Sequence, residues 1–142
     1  MKQKTVKSDV TLSGIGLHTG QENQVTIRPS EVNTGITFKR MDLEKQPTIK
    51  ATAEYVFETT RSTSLKRGEA VVRTIEHALA ALSGLQIDNA IIEVTGEELP
   101  ILDGSALPYM EAIKAVGVEE LAEDRKFFKV TETVIFKDEA RA

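Results

Sequence analysis

A chain of 142 residues with net charge −4, its Lys and Arg scattered, offers no electrostatic footprint for nucleic acid and no basic helix for a membrane surface. That length suits one domain burying roughly two-thirds of the surface its unfolded chain exposes, so neither disulfide nor metal is needed merely to fold. Zero cysteines exclude a disulfide framework; the start MKQKTVKSDVTLSG has no apolar core, no run approaches a membrane span, and a cytoplasmic location is expected.

The first seventy residues read as strands. Apolar and polar residues alternate from Val6 through Ser8 and Val10 to Leu12, again at Val25 and Ile27, and again at Ile36 and Phe38, the period of half-buried strands. Pro29, Ser30, Asn33 and Gly35 between the last two runs read as a hairpin loop. GIGLHTG, from Gly14 to Gly20, links two strands. Its glycines miss the GxGxxG spacing and open no helix, which excludes a dinucleotide fingerprint. The residues alone leave two readings open, a connection whose glycines supply positive φ or a loop that brings His18 to a polar or phosphorylated ligand. Short extended pieces follow around Tyr55 to Glu58 and Thr60 to Leu65, with a charged turn at Lys66 to Glu69.

TIEHALAALSG is the first helix. Thr74 is a candidate N-cap for a helix starting at Ile75, with apolar residues at helical spacing up to Gly84. Glu76 and His77 are its only polar pair. The helix dipole favours an ionised Glu76 and a neutral, metal-binding His77, and a carboxylate beside such a histidine could take a proton from water. Spacing alone equally allows two first-turn polar residues with no metal, since no second histidine follows four residues on.

IDNAIIEV, from Ile87, is a β-branched run suited to an interior strand. Glu97, Glu98, Glu119 and Glu120 read as a solvated acidic surface. PILDGSALPYMEAIKAVG contains a turn at Asp103 and Gly104, a cap at Ser105 and a second helix ended by Gly117. A new strand pattern starts in FFKVTETVIFKD. The order indicates an α+β fold, two helices on one face of a largely antiparallel sheet. A chain that stops on a fresh strand and the charged tail KDEARA is expected to be cut.

GIGLHTG, TIEHALAALSGL followed by IDNAIIEV, and PILDGSALPY, in that order, resemble the N-terminal domain of the zinc-dependent UDP-3-O-acyl-N-acetylglucosamine deacetylases of lipid A biosynthesis. The resemblance implies a hydrolase that removes acetate from the 2-amino group of a UDP-linked, acylated glucosamine. It matches His77 to a zinc ligand and Glu76 to the general base, with Zn2+ acting as Lewis acid. The other zinc ligands and catalytic groups of the family belong to a second, similar domain, whose start FFKVTETVIFKDE resembles; the resemblance thus implies a first domain over 1–124 and, over 125–142, the first strand of a truncated second. Thr60, Arg61 and Ser62 align with a segment that approaches zinc and substrate, and His18 takes a place near the ligand. The isolated chain is then expected to hold zinc weakly, to be inactive and to self-associate through the surface meant for the missing domain. Some members are fused to a hydroxyacyl-carrier-protein dehydratase. The rival from another class is a non-catalytic α+β module that binds a partner protein.

Overall fold

The computed structural model describes residues 1–137. In chain order its elements are β1 (Lys2–Val6), β2 (Val10–Ile15), β3 (Glu22–Arg28), β4 (Ile36–Arg40), β5 (Thr48–Lys50), a single 3-10 turn at Ala53–Tyr55, β6 (Val56–Glu58), β7 (Ser64–Arg67), β8 (Ala70–Val72), α1 (Glu76–Gly84), β9 (Ala90–Val94), α2 (Leu107–Val116) and β10 (Val118–Asp124). Five strands lie side by side in the order β2, β3, β9, β4, β5. All of their pairings are antiparallel except β4 with β9. β6 to β8 make a small antiparallel sheet, and β1 pairs with β10. This is the α+β arrangement expected.

The core forms where the pleat and the helices meet. Along β9 every second residue, Ala90, Ile92 and Val94, has no solvent exposure, and the same holds for Val25 and Ile27 on β3 and Phe38 on β4. Ala78, Ala81 and Leu82 of α1 and Tyr109 and Ile113 of α2 complete one continuous cluster with them. α2 packs on α1 and on β2. The dense apolar run of β9 therefore is an interior strand, the central one of the five, flanked on both sides.

Four expectations from the local pattern change. The alternating stretch from Val6 to Leu12 is two strands in different sheets, because the chain breaks at Lys7, whose N–H donates to the Gly117 carbonyl at 2.9 Å. β3 and β4 form no hairpin, since β9 lies between them. The loop between them turns its backbone to other partners: Ser30 N–H to Thr5 Oγ1, Asn33 N–H to Gln3 Oε1 and Gly35 N–H to Asn89 Oδ1. The charged stretch after Gly117 is a strand, β10, lying against β1 with Lys2 opposite Asp124 and Lys4 opposite Glu120. Residues 125–137 carry no strand; the expected strand reaches Asp138, and 138–142 lie outside the described residues. Among the described residues no helix is long and apolar enough to cross a membrane.

Candidate active site

Glu76 and His77 are the first two residues of α1, both half-buried. Their setting differs from a capped helix start. Thr74 does not cap α1: the residue at the cap position is Ile75, and it makes no side-chain capping bond. Thr74 instead adopts φ 57, in the left-handed region, and its hydroxyl donates to Glu98 at 2.8 Å. The segment entering α1 is stitched to residues 97–99. Arg73 N–H donates to the Glu97 carbonyl, Leu99 N–H donates to the Arg73 carbonyl, and the Arg73 guanidinium bridges Glu97 at 2.6 Å and Glu58 at 2.7 Å.

The loop between β6 and β7 lies against the same helix start. Thr63 N–H donates to Glu76 Oε2 at 3.0 Å, and Ile75 N–H returns a bond to the Thr63 carbonyl at 3.3 Å. One oxygen of Glu76 is thereby fixed by a backbone donor. Immediately before Thr63 come Thr60 and Arg61, both exposed, and Ser62, half-buried; Arg61 has φ 61. The segment singled out in the sequence thus adjoins the Glu76 carboxylate through its next residue.

His18 sits exposed in the loop that joins β2 to β3, which is a hairpin. Of the three glycines in GIGLHTG only Gly20 has a positive φ, 65. The loop is organised by Glu98, which accepts the N–H groups of His18 at 3.0 Å and Thr19 at 2.8 Å. Glu98 is 0% exposed and so is no part of a solvated acidic surface; Glu97, Glu119 and Glu120 are exposed. Burial pushes the Glu98 carboxyl up, and the bonds from Thr19, His18 and Thr74 outweigh it and hold it below the usual carboxylate range. Sequence reading missed Glu98 and Thr63. Nothing in the pattern EELP separates the buried glutamate from its exposed neighbour, since both stand among polar and turn residues.

The turn at Asp103 is structural: its carboxylate accepts Ser105 N–H at 2.9 Å, and Ser105 Oγ in turn accepts Leu107 N–H at 3.1 Å at the start of α2. Among the described residues no group of three or more His, Cys, Asp or Glu side chains could hold a metal ion. A catalytic zinc site takes three protein ligands, and no such group gathers around His77 among the described residues. What the arrangement supplies is a carboxylate with one oxygen held by a backbone N–H, next in sequence to a histidine, with Thr60, Arg61 and Ser62 on the loop that supplies this donor.

A family model described as UDP-3-O-acyl N-acetylglycosamine deacetylase matches residues 3–142. The chain is 44% identical over 138 residues to the UDP-3-O-acyl-N-acetylglucosamine deacetylase of Teredinibacter turnerae, covering 97% of this chain and 46% of that protein. It is 47% identical over 135 residues to the corresponding protein of Colwellia psychrerythraea, covering 94% and 44%. A bifunctional enzyme LpxC/FabZ of Bacteroides thetaiotaomicron is 48% identical over 140 residues, 99% of this chain and 30% of that protein. The chain spans less than half the length of each of these relatives. With a match over nearly its whole length, the chain belongs to the UDP-3-O-acyl N-acetylglycosamine deacetylase family.

Proposed function

We propose that this chain supplies one half of the active site of a zinc-dependent deacetylase acting on a UDP-linked, 3-O-acylated N-acetylglucosamine in lipid A biosynthesis. The observation that carries the reading is the Glu76 carboxylate, held by Thr63 N–H at the start of α1 and next in sequence to His77. In this reading Glu76 takes the proton of the water that attacks the acetamide and later passes one toward the departing amine. His77 is one zinc ligand, and the others come from the part of the relatives that this chain does not span. Arg61, Thr60, Ser62 and His18 contact substrate from the adjoining loops. Residues 1–124 are the first domain, and 125–142 begin a second. The bifunctional relatives support a possible dehydratase fusion; a cytoplasmic location belongs to the same proposal.

The test is acetate release by the full-length protein. Glu76→Gln is expected to lower kcat by about 10²- to 10⁴-fold, the usual contribution of a general base, with zinc content unchanged. His77→Ala is expected to lose both zinc and activity. Parental rates in both variants would remove the pair from the chemistry.

A further inference from the structure

One carboxylate outside this machinery ties its parts together. Glu98, fully buried, accepts His18 N–H on both oxygens at 3.0 and 3.1 Å, Thr19 N–H at 2.8 Å and the Thr74 hydroxyl at 2.8 Å. Its donors come from two distant segments, the loop after β2 and the residue two positions before Glu76. Burying a carboxylate is unfavourable unless its lone pairs are met, and well-packed apolar residues often stabilise a core as well or better. A stabilising role alone therefore accounts poorly for this residue.

The strain at Thr74 indicates what the link does. With φ 57, Thr74 occupies a region that β-branched residues rarely adopt, and such conformations persist only where the surroundings enforce them. Its hydroxyl, free to cap α1 in an ordinary helix start, is turned to Glu98. The direction in which the chain enters α1 is thus set by a strained residue that Glu98 holds. Gly16 is shaped by the same carboxylate. A Cβ there would run into Glu98 Oε2 and the Thr19 hydroxyl, although Gly16 needs no positive φ of its own.

We propose that Glu98, acting through Thr74, is a positioning residue that sets where Glu76 and His77 stand relative to the His18 loop. The proposal rests on the reading of Glu76 and His77 as base and ligand. In the full-length protein, Thr74→Val removes the hydroxyl and keeps the shape, Thr74→Ser keeps the hydroxyl, and Gly16→Ala crowds the Glu98 carboxylate and the Thr19 side chain without touching Thr74. Folded Thr74→Val is expected to lose about tenfold or more in kcat with KM nearly unchanged, since small misplacements of catalytic groups cost that much, and Thr74→Ser to recover most of the rate. Gly16→Ala combined with Thr74→Val is expected to cost little more in kcat than the worse single change, because both break one link. A parental kcat in folded Thr74→Val, or losses that simply multiply, would overturn the proposal. A second readout does not depend on activity: the His77 ring resonances are expected to shift in Thr74→Val and return in Thr74→Ser, and unshifted resonances would likewise overturn it. Glu76→Gln and His77→Ala run beside these variants separate the two failures. If both keep the parental rate, the deacetylase reading falls, and the His77 resonances still decide whether Glu98 positions the helix start.

Discussion

Glu98 and Asp42 hold their charges by different means. Around Glu98 the donors are two backbone amides and a hydroxyl, none of them charged, while Asp42 is held below its usual range chiefly by a hydrogen bond from Arg40, which it meets at 2.7 Å. Both carboxyls titrate lower in the folded chain than unfolded, so each contributes stability that is fully present above its unfolded value and is lost as pH falls through the folded one. The ordinary value for Glu98 is 4.5, and the expected window therefore lies below it. Urea unfolding of the purified chain from about pH 6 down to about pH 3 is expected to show declining stability, and Glu98→Gln a shallower decline, with Asp42 supplying part of the slope that remains. An identical slope in Glu98→Gln would mean that the carboxylate is not ionised in the folded state. At this scale the sequence was readable for Glu76 and His77, whose place at a helix start follows from the apolar spacing after them. Thr74 misled, because a hydroxyl just before a helix is normally a cap, and here a buried carboxylate competes for it.

Elements were legible wherever their period was carried by their own residues. β9 needs no partner to be recognised, since five consecutive residues from Ala90 to Val94 include three branched aliphatics and alternate in burial. β10 was not legible, because VEELAED has the composition of a solvated run and becomes a strand only when β1 sets Lys2 beside Asp124, 3.3 Å away. α2 is tied to the segment before the Asp103 turn by the buried Tyr109, whose hydroxyl donates to the Pro100 carbonyl at 2.8 Å. Burial without a charged partner pushes that phenol well above its usual range, so it stays a donor at all ordinary pH. Tyr109→Phe keeps the ring and leaves the carbonyl unpaired, an expected loss of about 1–3 kcal/mol. Denaturant titration checks this, and a midpoint unchanged with equal slope would show that the bond contributes nothing net.

For the molecule as a whole, the decisive quantity is what the described residues leave exposed. Phe128 is 93% exposed and Phe136 87%, and Ile15, Leu17 and Leu107 are more than half exposed as well. Contiguous exposed apolar surface favours association. The purified chain is expected to self-associate with rising concentration in sedimentation, and Phe128→Ser with Phe136→Ser to shift it toward monomer. Metal analysis of the same chain is expected to find far less than one zinc per molecule; one tightly bound zinc, lost in His77→Ala, would place a complete site within these residues.

The amino-acid sequence by itself determined both helices, strands such as β3, β4 and β9, the α+β class, and the spaced motifs that mark the family, because period, turn chemistry and motif spacing are local properties of the chain. Only the tertiary structure decided strand partnership, the place of β9 between β3 and β4, and the joining of the GIGLHTG loop to the start of α1. The reason is the range of the forces involved. Glu98 finds His18 at a separation of 80 residues and Thr74 at 24, and no pattern within a single element encodes a hydrogen bond of that reach.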